Sequence, residues 1–233
     1  VKYDLKTGKT ESIDEVDGKK IGWAQRINCT PDNITYAAAD DDLVIIDQNQ
    51  GTMKLEYGDM LHPGSREVYI GGTEVDIHGD YWYSLPGVTR IDGDTRFYTQ
   101  HDPFDPHSLV SDIIRVIYSD PRGNYWFGSW NKGVCYMNPA SNQNIFANYY
   151  SIPGKPSLNG NVVNTITIDR SGRIWASIDG KGANVIDREN NTYTYYTKNA
   201  PAPYSLTSNV HTGLYHDHAD RMYLFSVRSG IDV

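Results

Sequence analysis

The residues best placed to hold a ligand are one indole and a set of charges in short loops. Trp130 stands in Ser129-Trp130-Asn131-Lys132, outside the position that Trp126 shares with Trp175. A loop indole offers a flat amphipathic face on which a sugar ring can stack, and such aromatics favour binding surfaces. The alternative is that Trp130 caps a neighbouring element. Asn131 supplies an amide beside it. Lys132, Lys181 and Arg228 fall in corresponding loops. If they converge, they would grip an anionic sugar or a sulfate by charge-assisted hydrogen bonds; if not, they are ordinary solvated cations. Asp179 either accepts hydrogen bonds from hydroxyls or pairs with Lys181.

Catalysis and metal binding find less support. Glycoside hydrolysis needs two carboxylates roughly 5–10 Å apart across a cleft. Asp40, Asp41, Asp42, Asp102, Asp105 and Asp179 are available, but no motif selects a pair, so no catalytic residue is assigned. His216-Asp217-His218 has metal-ligating residue types. However, no third ligand is near in sequence, and Asp217 recurs elsewhere as a turn residue, so no metal or cofactor is expected. Cys29 and Cys135 are read as free thiols, since two cysteines make neither a disulfide scaffold nor a zinc ribbon.

These loops are set by a repeat. Gly123, Tyr125-Trp126 and Gly133 return 49 residues later as Gly172, Ile174-Trp175 and Gly182. Ser108-Leu109 and Asp120 return as Ser157-Leu158 and Asp169, and after a further 48 residues come Ser205-Leu206, Asp217, Tyr223 and Gly230. Upstream, Trp82 and Tyr36 hold the same slot, so five aromatic anchors mark five units. Each unit reads as short β-branched strands, as in Ile113–Tyr118 and Val162–Ile168. Between the strands lie turns opened by Asp and closed by Gly, such as Asp120-Pro121-Arg122-Gly123. Four antiparallel strands in 40–50 residues is the arithmetic of a propeller blade. The expected fold is therefore all-β. Its approximate blades are 1–20 (partial), 21–66, 67–106, 107–156, 157–205 and 206–233 (partial), forming a single propeller region over 1–233. A blade cannot bury both faces alone, so the recurrent Trp is read as packing between blades and the recurrent Asp as a turn stabiliser.

Composition is consistent with a packed domain. Aromatic residues make up 12% of 233, enough to build a core. The net charge of −8 argues against nucleic acid or an anionic membrane surface as the partner. No run of about 20 apolar residues is present to span a bilayer as a helix. The chain starts at Val1 and stops at Ile231-Asp232-Val233, which reads as the middle of a strand, so a piece of something larger is expected. Two closures are open: a five-blade ring completed by residues 1–20, or an arc of a larger propeller. The arc is preferred.

Val162 through Asp187, with Ile166, Asp169, Gly172, Ile174-Trp175, Gly182 and Ile186-Asp187, resembles the two-component regulator propeller repeat. Ile113 through Asn138 resembles it through Asp120, Gly123, Tyr125-Trp126 and Gly128-Ser129. Two units depart from the pattern. Thr30-Pro31-Asp32-Asn33 replaces Asp-x-x-Gly with Tyr36 in place of Trp, and Asp220 stands where Gly is expected. The resemblance implies a seven-bladed parent propeller and a periplasmic, ligand-sensing, non-enzymatic segment of a hybrid two-component histidine kinase. It also implies an oligosaccharide ligand, packing against other blades and sensor domains of the same polypeptide, and a homodimer. Contact with the membrane would come only through the parent protein. The alternatives are a structural or dimerisation segment and, less favoured, a propeller lyase or glycosidase. The candidate ligand-binding residues are Trp130, Asn131, Lys132, Asp179, Lys181 and Arg228.

Overall fold

The computed structural model describes residues 2–39, 42–56, 70–141 and 146–233. Asp40 and Asp41, considered above as carboxylates, lie outside the described residues, as do Val1 and parts of the expected blades 21–66 and 67–106. Among the described residues every regular element is a strand. Two short hairpins come first, β1 (Lys2–Tyr3) with β2 (Thr10–Glu11) and β3 (Glu15–Val16) with β4 (Lys19–Lys20). Four antiparallel sheets of four strands follow. Blade one holds β5 (Ala24–Cys29), β6 (Ile34–Ala39), β7 (Asp42–Asp47) and β8 (Thr52–Glu56). Blade two holds β9 (Thr73–Val75), β10 (Tyr81–Tyr83), β11 (Val88–Asp92) and β12 (Thr95–Thr99). Blade three holds β13 (Ile114–Ser119), β14 (Tyr125–Ser129), β15 (Val134–Met137) and β16 (Phe146–Tyr149). Blade four holds β17 (Val163–Ile168), β18 (Ile174–Ile178), β19 (Gly182–Asp187) and β20 (Thr192–Tyr196). Blade five has three strands, β21 (His211–His216), β22 (Met222–Ser226) and β23 (Ile231–Asp232). First strands pack in series, β5 on β9, β9 on β13, β13 on β17 and β17 on β21. This is a β-propeller arrangement.

The turn residues explain why each hairpin closes where it does. Asp120 Oδ1 accepts the N–H groups of Arg122 (2.8 Å) and Asn124 (3.0 Å), while Gly123 takes φ 78°. Asp76 does the same for His78 and Asp80. The two departures from the pattern keep this geometry by other means. Asn33 and Asp220 adopt φ 64° and 65°, a left-handed region that these two residue types tolerate best after glycine. In blade one the Thr30 hydroxyl receives the Ile34 N–H in place of a carboxylate.

The anchor aromatics of blades one to four each pack against the following blade. Tyr36 stacks on Tyr81 with centroids 4.1 Å apart, and Trp82 lies 4.4 Å from Tyr125. Trp126 packs with Leu158, Ile166 and Ile174, and Trp175 with Leu206 and Leu224. Leu158 and Leu206 come from the blade-to-blade linkers, which explains the recurrence of Ser-Leu. Burying an indole would strand its N–H, and the turn Asp prevents that: Trp82 and Trp175 donate to Asp76 and Asp169 at 2.7 and 2.9 Å. Serines at the end of second strands tie neighbours together as well. Ser84 donates to the carbonyl of Ile114 and Ser177 to that of His211.

No strand pairing among the described residues closes a five-blade ring. Among the described residues β1 and β2 pair only with each other, and β23 pairs only with β22. The outer face of blade one is covered instead by Val16, Ile13 and Ile21. The outer face of blade five leaves Tyr215, Phe225 and Ile231 exposed.

Candidate functional site

The loops between second and third strands share one face with the blade-to-blade linkers, as backbone hydrogen bonds show. Trp130 N–H donates to Ile113 C=O, Asp179 N–H to Val162 C=O, and Gly133 N–H to Asn161 C=O. Trp130 and Asp179 are thereby fixed to the starts of the innermost strands of their own blades.

Those strand starts carry the decisive device. In β13, β17 and β21 the pairing register slips by one residue, at Arg115, Asn164 and Thr212. A β-bulge inserts one unpaired residue and re-aims its side chain. The slip lets Ile114 and Ile117, three apart, both enter the core, and likewise Val163 and Ile166. The extra residue is left at the rim. Arg115 Nη1 donates to Asn164 Oδ1 at 2.6 Å, and Asn164 Nδ2 is 3.1 Å from both Asp179 Oδ1 and the His211 carbonyl. On its other side, the Arg115 guanidinium lies 4.2 Å from the centre of the Trp130 ring. A chain of contacts, Trp130–Arg115–Asn164–Asp179, thus crosses from blade three to blade four, and Asn164 extends it to blade five. Asn164 is buried, whereas Trp130 is 50% exposed.

The six candidate residues divide accordingly. Trp130 and Asp179 join one network. Asn131 lies beside it, its Oδ1 accepting the Ser111 hydroxyl at 3.2 Å. Lys132, Lys181 and Arg228 sit at exposed loop positions. Their backbones are held locally, by Ser129 for Lys132 and by Asn159 for Lys181. Among the described residues no hydrogen bond or ion pair joins the three side chains, and Asp179 is bound to Asn164 rather than to Lys181. Sequence reasoning missed Arg115 and Asn164 by reading their strands as regular. The available signal was the apolar pair at a spacing of three, which a regular strand would place on opposite faces.

Other candidate groups are engaged in structure. Asp102 and Asp105 cap their own turns through the N–H groups of Phe104 and His107, and Asp42 pairs with Lys19. His216 contacts Asp220 at 2.7 Å. Asp217 serves as the blade-five turn residue, and hydrogen bonds from the Arg221 backbone and side chain and from Tyr223 bring its carboxyl down to about 2. Cys29 is an exposed free thiol and Cys135 a buried one.

With this geometry in view, residues 108–131 match the family described as two component regulator propeller. No curated protein matches the sequence. Among solved structures, the chain is similar to PorZ of Porphyromonas gingivalis, a surface component of the type-IX secretion system. The TM-score is 0.69 with 16% identity, over 97% of this chain and 34% of that one. It is similar to the extracellular domain of BT3049 from B. thetaiotaomicron, assigned to a hybrid two-component system, with TM-score 0.52 and 14% identity over 91% and 40% of the two chains. It is also similar to a catalytically inactive virginiamycin B lyase from Staphylococcus aureus, with TM-score 0.61 and 15% identity over 99% and 74%. At such identities the likeness concerns the fold. The chain spans about a third of PorZ and two fifths of the BT3049 domain.

Proposed function

We propose, for a chain that carries a two-component regulator propeller repeat at residues 108–131, that it is a non-catalytic, extracytoplasmic sensing propeller. Its ligand is an oligosaccharide, and its loop face receives that ligand at Trp130, Arg115 and Asp179. The observation that carries this reading is the network spanning blades three to five through Asn164. A half-exposed indole supplies a stacking face, Arg115 supplies donors, and Asp179 supplies acceptors for sugar hydroxyls. The scaffold beneath is rigid, which suits recognition by loops. In this reading the site belongs to the periplasmic part of a membrane-linked histidine kinase. A ligand seated on Trp130 and Asp179 bears on two blades at once and is positioned to alter how they pack.

The test is calorimetric titration with a panel of oligosaccharides. For one that binds, Trp130→Ala and Asp179→Asn should each weaken affinity about tenfold or more. Unchanged affinity in both variants removes this rim from the reading, and new reducing ends on incubation with a polysaccharide would replace sensing by catalysis. A second reading, a packing or dimerisation segment, draws on the uncovered Tyr215, Phe225 and Ile231 of blade five. Sedimentation of wild type against Phe225→Ser separates the two.

A further inference from the structure

A cleft of about 620 Å³ lies on the opposite face, between the turns of blades three and four. One residue of the repeat differs at its floor from blades four and five. In blades four and five the position four residues after the turn Asp is an arginine, and Arg173 and Arg221 donate Nε to Asp169 and Asp217 at 2.8 and 2.7 Å. Blade three has Asn124 there. Its amide reaches both oxygens of Asp120, at 3.1 and 2.9 Å, and its Oδ1 accepts the Tyr136 hydroxyl. The shorter side chain leaves space beside Trp126 and Tyr136. Unlike the indoles of blades two and four, Trp126 Nε1 has no hydrogen-bond partner among the described residues, although the residue is 1% exposed.

Guanidinium groups frame this space. Arg122 crosses from blade three to lie over Gly172, where a Cβ would come within 3.0 Å of its Nη2, so the glycine makes room for it. Arg188 lies 3.6 Å from the centre of the Tyr136 ring and donates Nε to the Tyr149 hydroxyl. Neither forms an ion pair among the described residues, whereas Arg173 is paired with Asp169. The nearby acids are largely committed: Asp120 to Asn124 and its own turn, and Asp187 to the amide and N–H of Asn190. Two guanidiniums without an ion pair among the described residues thus line the cleft beside three carboxylates, of which Asp120 and Asp187 already accept hydrogen bonds from amides and Glu189 is exposed.

We propose that this cleft binds the oxyanion of an acidic saccharide, a carboxylate or a sulfate, between Arg122 and Arg188. Guanidinium groups match such oxyanions in geometry as well as charge. The site shares no residue with the Trp130 rim and extends the reading of the preceding subsection to a second ligand class. It also differs from the expected convergence of Lys132, Lys181 and Arg228, because the cations that line a common cleft are arginines on the other face.

The whole chain is titrated with glucuronate, with inorganic sulfate and with glucose, followed by calorimetry and tryptophan fluorescence. Saturable binding of glucuronate or sulfate, weakening as ionic strength rises, is expected, with none for glucose; which anion saturates identifies the group. Arg122→Gln and Arg188→Gln should each weaken binding about tenfold or more. Asn124→Arg installs the side chain that blades four and five carry at this position and should abolish binding without lowering the melting temperature. Trp130→Ala should leave the affinity unchanged, so this site and the rim site stand or fall separately. Failure of both anions to saturate, equal binding of glucose, or unaltered affinity in Arg122→Gln and Asn124→Arg would overturn the proposal.

Discussion

Trp175→Ala and Trp130→Ala remove the same side chain from opposite environments, and their costs should differ several-fold. Trp175 is 8% exposed and packs across the blade boundary against Leu206 and Leu224. A large-to-small change at such a site costs about 3–5 kcal/mol, because the surroundings only partly close the cavity. Within that figure lies the loss of the indole N–H bond to Asp169 at 2.9 Å, a charge-assisted bond in the range of about 1.5–3 kcal/mol. Trp175→Phe, which keeps a ring and loses the donor, should therefore recover roughly half of the loss. Trp130 is half exposed and contributes chiefly its contact with Arg115, about 0.5–1 kcal/mol. For a chain of this length each kcal/mol shifts the melting temperature by about 2–4 °C. Trp175→Ala should then melt roughly 10 °C below wild type and Trp130→Ala within about 4 °C of it. Guanidinium unfolding curves provide the free energies. Equal losses in the two alanine variants, or a loss below about 1 kcal/mol for Trp175→Ala, would refute the assignment of the recurrent indoles to packing between blades.

Three further outcomes follow from the geometry. The carboxyl of Asp217 sits at about 2. That of Asp76 also lies below its ordinary value: burial raises it, but hydrogen bonds from Tyr125, Trp82 and the N–H groups of His78 and Asp80 outweigh burial. A depressed folded-state value means stability that is present above the unfolded-state range near about 4 and lost as pH falls through the folded value. The melting temperature should thus hold from pH 7 to about 5 and drop towards pH 2; a flat profile down to pH 2 contradicts the sign. Gly71→Ala would place a Cβ 2.3 Å from the Ile114 carbonyl oxygen, where two blades meet, and should cost about 1–3 kcal/mol or more in chemical denaturation. Cys29 is exposed, whereas burial pushes the Cys135 thiol well up. A thiol reagent should label one cysteine in the folded protein and both after unfolding, as counted by mass spectrometry.

Much of this architecture is encoded locally. The Asp-to-Gly turns need only a carboxylate within reach of two N–H groups and a residue that accepts positive φ, so they are legible in any single unit. Even the irregular units obey that rule, through Thr30 and Asn33 in blade one and Asp220 in blade five. Repetition then identifies the buried aromatic, because a side chain returning at the same slot in each unit must meet the same neighbour. The linker leucines Leu109, Leu158 and Leu206 are legible for the same reason.

What the sequence determined by itself was the blade: where each strand turns, which aromatic it buries, and which loops emerge together on one rim. Only the tertiary structure decided which side chains from different blades come within reach of one another. Arg115 and Asn164 are 49 residues apart, and each looks like an unremarkable polar residue in a strand until the register slip turns it to the rim. Asn124 likewise looks like a minor variation of a turn until the neighbouring blade brings Arg188 over Tyr136 and the cleft appears. The physical reason is that turns and strand pairing depend on contacts a few residues apart, whereas a site between blades depends on angles and offsets accumulated over whole sheets.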